Sequence, residues 1–134
     1  MNYNYYDIDV VARTAYGEAR SEGNIGMRAV CHVIRNRVRD KRWPGTYAQV
    51  SLQRRQFSCW GKKDVNYPKI TEVTFSDPTF RVAYSIAAEV MAAESEDLTQ
   101  GANHYHDSRM EELPEWADPA KDTVTIFHHR FYKL

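Results

Sequence analysis

The run Ala12-Arg-Thr-Ala-Tyr-Gly-Glu-Ala-Arg20 carries one carboxylate, Glu18, at the end of an amphipathic segment. Ile8, Val11, Ala12, Ala15 and Ala19 recur at helical spacing, and Glu18 falls at the edge of their apolar stripe, not opposite it. A carboxylate half buried at a helix C-terminus is disfavoured as an anion by both desolvation and the helix dipole. Such a place is where a general acid is expected. Gly17 removes a neighbouring side chain, which would let a ligand come close. Most glutamates on helices are solvated surface groups; the stripe position and the glycine set this one apart.

The histidines are the competing signal. His104 and His106 stand two apart on a strand-like segment and so share a face, while His128 and His129 lie on a second such segment. Three imidazoles and a carboxylate could bind zinc, as in a metal-dependent amidase. The spacing is not the HExxH pattern of helical metalloproteases. Strand histidines beside Tyr105 and Tyr132 more often hydrogen-bond in a core or line a polar cleft, so neither a metal nor a cofactor is expected. The run Gln56-Phe-Ser-Cys-Trp60 has two readings. It is a loop pinned by Phe57 and Trp60, or a wall of a sugar cleft where an aromatic face meets the ring and Gln56 or Ser58 bonds hydroxyls. Residue types alone leave both open.

These groups need a frame. Asp7 is the expected N-cap of a first helix. After Ser21, Gly23 and Gly26, a second helix is expected to resume near Met27, with Val30, Cys31, Val33, Ile34 and Val38 as its stripe, stopped by Trp43-Pro44-Gly45. Thr46 caps a short helix through Leu52, and residues 56–76 read as loop. Asp77-Pro78 is a strong helix start, a capping carboxylate followed by proline at the first helical position. Phe80, Ala83, Tyr84, Ala87, Val90 and Met91 give that helix a buried face. Residues 102–106 and 123–128 are short and rich in β-formers, and they are expected to pair as an antiparallel ribbon. The expected architecture is α+β, mainly helical with a small sheet, one domain over residues 1–134.

Length and composition agree. At 134 residues, 43% hydrophobic and 13% aromatic, the chain can fold as one domain without a metal or disulfide staple. Two cysteines, Cys31 and Cys59, make no framework. The zero net charge hides a split. Residues 28–55 hold eight basic residues (Arg28, Arg35, Arg37, Arg39, Lys41, Arg42, Arg54 and Arg55) against Asp40, whereas residues 89–122 hold ten acids against Arg109 and Lys121. Such a split usually means two solvated helix faces, and less often a patch for an anionic polymer. Arg35, Arg37 and Arg39 spread round a helix instead of forming a stripe, which argues against a nucleic-acid or non-catalytic wall-binding module.

Taken together, the Glu18 run, Gly23, Gly26-Met-Arg-Ala-Val30, His32-Val-Ile-Arg-Asn-Arg-Val38, Trp43-Pro44, Gln56-Phe-Ser-Cys-Trp60, Gly101-Ala-Asn-His-Tyr-His106, Pro114, Trp116-Ala117 and His129-Arg-Phe-Tyr132 resemble the SleB/CwlJ-type cell wall hydrolases. The resemblance runs from about residue 10 to the end. It implies a lysozyme-like fold, similar to goose-type lysozymes and lytic transglycosylases. It also implies cleavage of the peptidoglycan glycan strand with Glu18 as the essential acid. Gln56, Phe57, Ser58, His104, Tyr105 and His129 would then contact the sugar. The sequence departs from the family at Asn103, where threonine is frequent, and at Phe127, where glycine is frequent.

With Glu18 alone, the resemblance implies transglycosylation: intramolecular attack by the muramic C6 hydroxyl and a 1,6-anhydro end. Hydrolysis would need a second carboxylate, for which Glu22 and Asp107 are the candidates. The N-terminus has no basic segment followed by an apolar one, so no signal peptide is expected. That suggests a monomeric phage endolysin, made in the host cytoplasm, released through a holin-type pore to the cell wall, and without stable membrane association. A secreted or spore-associated enzyme is the alternative.

Overall fold

The computed structural model describes residues 2–134. Five α-helices, α1 (Tyr5–Ala19), α2 (Gly23–Val38), α3 (Tyr47–Leu52), α4 (Tyr67–Glu72) and α5 (Pro78–Ala92), precede three strands, β1 (His104–Asp107), β2 (Asp122–Ile126) and β3 (His129–Tyr132). The fold is the α+β arrangement expected. Among the described residues no helix is long and apolar enough to cross a membrane.

Helix α1 starts earlier than the sequence suggests. Asn4 is the N-cap, and Asp7 is the third residue of a capping box: each backbone N–H donates to the other's side chain, at 3.0 and 3.1 Å. The second oxygen of Asp7 accepts the N–H of Ala48, at 2.9 Å, tying α1 to α3. Helix α2 also starts earlier, at Gly23 and not near Met27. The poor helix formers Gly23 and Asn24 conceal its first turn. Thr46 and Asp77 cap α3 and α5 as expected, the latter accepting from Thr79 and Phe80. Residues 56–76 are not all loop, since they contain α4.

Helix α2 is buried on two sides. Val30, Cys31 and Ile34 pack with Val11, Ala12 and Ala15 of α1 and Phe80, Ala83, Ala87 and Val90 of α5. Ala29 and Val33 pack instead against Ala102 and Phe131 of the sheet region. This central helix therefore joins the helical core to the sheet.

The ribbon is corrected to three antiparallel strands in the order β1-β3-β2. The two segments expected to pair flank the C-terminal strand, which the sequence conceals because His129-Arg-Phe-Tyr132 has little period-two polarity. Tyr105 pairs with Phe131 and Asp107 with His129 on one side, and Ile126 with His129 on the other. The β2–β3 turn holds Phe127 at φ 51°, left-handed backbone that favours glycine, which accounts for the family preference there.

Part of the basic cluster is engaged within the fold. Arg28 and Arg39 of α2 reach Glu89 and Glu94 at 2.6 and 2.7 Å, while Arg35 and Arg37 are buried. The basic face expected to be solvated is thus partly consumed by contacts between α2, α5 and the sheet.

Candidate active site

A cleft of about 510 Å³ opens where the end of α1 meets the sheet. Gly17 and Glu18 come from α1, Arg37 from α2, Arg55 to Ser58 from the loop after α3, Tyr105 to Asp107 from β1, and His129 from β3. Most of the sequence-predicted contacts thus meet in one place: Glu18, Gln56, Phe57, Ser58, Tyr105 and His129.

Glu18 is half buried in the last turn of α1. The Tyr105 hydroxyl donates to its Oε1 at 2.7 Å. Burial, then the charge of Glu18, push the Tyr105 phenol well above its ordinary value, so it stays a neutral donor. Cys59, buried in the one-turn helix Ser58–Trp60, directs its thiol at the same carboxylate. Desolvation first and the charge of Glu18 second raise the thiol, which therefore stays neutral and is not a nucleophile.

The loop that brings Cys59 there is pinned to the core, as one reading of its sequence expected, and it also lines the cleft. Phe57 is buried, its ring centroid 6.4 Å from that of Tyr105, and Trp60 donates its indole N–H to Thr14 of α1 at 2.8 Å. Gln56 and Ser58 are exposed to the cleft. Arg37 fixes Gln56. Its guanidinium donates to the Asn103 carbonyl at 2.7 Å and to Gln56 Oε1 at 3.1 Å, over the faces of Phe57 and Trp43. The Gln56 carbonyl being taken, its NH₂ is left for a ligand. Sequence reasoning missed Arg37, although it lies three and four residues beyond Ile34 and Val33 and so on the buried side of α2. It also missed Cys59, for which no local signal exists.

His104 is the residue the structure does not bring to the cleft. Alternation along β1 sends it away from Tyr105, to rings of Trp43 and Trp116 at 5.7 and 4.8 Å, with Nδ1 donating to Asn103 Oδ1. Burial, then Arg37 and Arg42, lower its pKa to about 4. Between that value and the ordinary ~6.5, only the unfolded chain binds the proton, so stability is complete above 6.5 and falls as pH drops toward 4. We expect His104→Asn to flatten this part of the Tm–pH curve, whatever it does to Tm at neutral pH; a curve of unchanged slope would assign the acid loss elsewhere. Asn103 stitches the chain end instead of facing the cleft, accepting from Leu134 N–H and donating to Leu134 O.

The other imidazoles are likewise occupied. His106 Nδ1 donates to the Asp107 carbonyl, so its Nε2 accepts from the Tyr132 hydroxyl at 2.8 Å. Among the described residues no three His, Cys, Asp or Glu side chains converge as metal ligands would. Neither candidate second carboxylate is a free surface acid. Asp107 lines the cleft, but Arg109 holds it in a bidentate pair (3.0 and 2.8 Å), which keeps it well below the usual carboxylate range. Glu22 is buried against His129.

The model of the family described as cell wall hydrolases matches residues 21–132. The chain belongs to the cell wall hydrolase family. The matched segment begins just after Gly17 and Glu18 and includes the remaining cleft residues. Two spore cortex-lytic enzymes of Bacillus cereus are each 39% identical over 57 residues, which is 42% of this chain and 22% of theirs. The chain thus spans less than a quarter of the length of those relatives. The similarity of fold extends further. The catalytic domain of the germination-specific lytic transglycosylase SleB from Bacillus anthracis superposes with a TM-score of 0.76 at 26% identity, over 98% of both chains. The catalytic domain of the Bacillus cereus SleB protein gives 0.77 at 26% identity, over 98% of this chain and 93% of that one. Both alignments support the lysozyme-like, mainly helical fold that the sequence resemblance implied.

Proposed function

We propose that this domain cleaves the β-1,4 bond between N-acetylmuramic acid and N-acetylglucosamine in peptidoglycan, as a lytic transglycosylase leaving 1,6-anhydro-muramic ends. The observation that carries the reading is a single unpaired carboxylate in the cleft, Glu18, held by the neutral Tyr105 hydroxyl, while Asp107 is bound by Arg109. Protonated Glu18 donates to the departing O4 as positive charge builds at C1 of the muramic sugar. Tyr105 then stabilises the carboxylate formed. That carboxylate takes the proton of the C6 hydroxyl, whose oxygen closes on C1. Glu18 ends protonated, and no water is consumed. The SleB relative from Bacillus anthracis is a germination-specific lytic transglycosylase, which supports the same outcome.

Mass spectrometry of muropeptides released from purified sacculi, in buffer containing EDTA, tests this. The expected products carry anhydro-muramic ends, lighter by one water than hydrolytic ends, and their yield is unchanged by the chelator. Reducing ends alone would make the domain a hydrolytic muramidase. Activity lost in EDTA and restored by zinc, with freed amino termini, would make it an amidase.

The relatives are spore cortex-lytic enzymes, which favours a spore-associated or secreted setting. The endolysin route through a holin-type pore has no support among them. The shared substrate is the muramic-acid glycan strand, on which the domain acts as a monomer.

A further inference from the structure

Glu22 closes the one-turn helix between α1 and α2, where a side chain usually caps the next helix; its own makes no capping bond. It turns inward instead, 8% exposed, with Oε1 shielded from solvent. Gly26 makes the room, since a Cβ there would lie 2.5 Å from Glu22 Cβ and 3.3 Å from Oε1. A carboxylate in such a place is strongly unfavourable unless a donor faces it. His129 Nδ1 lies within ion-pair distance of it, 3.1 Å, on a ring only 13% exposed, although its N–H is not aligned for a hydrogen bond in this structure and Oε1 has no hydrogen-bond partner.

His129 opens β3 and lines the cleft. Its ring meets Tyr105 edge-on at 4.8 Å, and Tyr105 is the phenol bonded to Glu18. Asp107, its partner across the β1–β3 ladder, is occupied by Arg109 and does not compete for the imidazole. With Nδ1 turned to Glu22, no group among the described residues bonds Nε2.

We propose that Glu22 is a positioning residue: it accepts the Nδ1–H of His129 and fixes the tautomer whose bare Nε2 accepts a hydrogen bond from a sugar hydroxyl in the Glu18 cleft. The inference rests on the reading of that cleft as a muramic-acid site. It removes Glu22 from the candidates for a second catalytic acid. The carboxylate acts through the imidazole, as carboxylates orient histidines elsewhere.

Ring ¹⁵N chemical shifts of His129 in the substrate-free protein at about pH 8, above ordinary imidazole titration, give the first readout. A protonated Nδ1 and a bare Nε2 are expected. A proton on Nε2, the pattern of a neutral Glu22 donating to Nδ1, would overturn the proposal without any variant being made. Turnover of soluble glycan fragments gives the second. Glu22→Met, close in size but no acceptor, should disturb the tautomer and lower kcat at least ~10-fold with little change in KM. Glu22→Gln, whose carbonyl still accepts from Nδ1–H, should keep both the tautomer and a rate within about tenfold. A smaller loss in folded Glu22→Met, or a Glu22→Gln variant as inactive as one lacking Glu18, would overturn it, the latter by making Glu22 a reacting group. Wild-type protein that releases no glycan products would refute the muramic-acid reading itself, which the tautomer measurement does not touch.

Discussion

Glu18→Gln is expected to reduce lysis of sacculi by at least ~100-fold while leaving the fold unchanged. Gln is nearly isosteric but has no proton to give the leaving oxygen, and loss of a general acid typically costs about 10²–10⁴-fold. The structure explains why the variant should fold. Tyr105 donates to this side chain, and the Gln carbonyl accepts from it as the carboxylate does. Tm should therefore stay close to wild type, which separates lost chemistry from lost structure. Turbidity decay faster than about a tenth of the wild-type rate would place the acid elsewhere in the cleft. Asp107 would then be the next residue to change, although its pairing with Arg109 opposes a proton-donating role.

The place of Glu18 at a helix end beside the cleft was legible because its cues are local: a helical apolar stripe, a helix end and a run of residues characteristic of the family. Caps at Thr46 and Asp77 were legible for the same reason, since the groups that make them lie within three residues of one another. What surrounds Glu18 was less so. Tyr105 reaches it across 87 positions of sequence, and Arg37 reaches Asn103 across 66, separations at which no periodicity carries information. The place of His104 was misjudged through register. His104 and Tyr105 are adjacent, so one strand alternation decides which faces Glu18 and which faces the tryptophans. The pairing that sets that alternation belongs to β3, a strand whose sequence has no alternating pattern. Burial of Glu22 against His129 was not legible because it depends on the assembled sheet, whereas Asp107 stays at the surface, paired with its near neighbour Arg109.

Gly17→Ala is expected to disable the enzyme and to destabilise it, for a physical reason other than the one its sequence position suggests. Next to Glu18, the glycine was expected to admit a ligand. In the structure its missing Cβ admits the protein's own core: a Cβ there would sit 2.7 Å from Ile70 Cγ2, 2.8 Å from Cys59 Cβ and 2.9 Å from Cys59 Sγ. Ordinary contacts are closer to about 3.5–4.0 Å between carbons, so each neighbour would have to retreat by nearly 1 Å. Ile70 and Cys59 are fully buried and have nowhere to go, so the end of α1 must move instead. Overpacking of this kind costs about 1–3 kcal/mol, offset by up to ~1 kcal/mol of helix propensity gained in replacing glycine by alanine. A Tm loss of roughly 3–5 °C per kcal/mol follows for a domain of this size. The effect on rate should be larger, because the residue that moves with Gly17 is Glu18, and a displacement of about 1 Å can cost ~100-fold. Gly45 provides the control: nothing lies within 4 Å of a Cβ there, and Gly45→Ala should change neither Tm nor rate appreciably. Thermal melts and turnover on soluble glycan, measured together, distinguish the two accounts of Gly17. Lower Tm with lower kcat marks a packing position that aims the acid, whereas a raised KM at unchanged Tm would restore the view that its role is to let the sugar in.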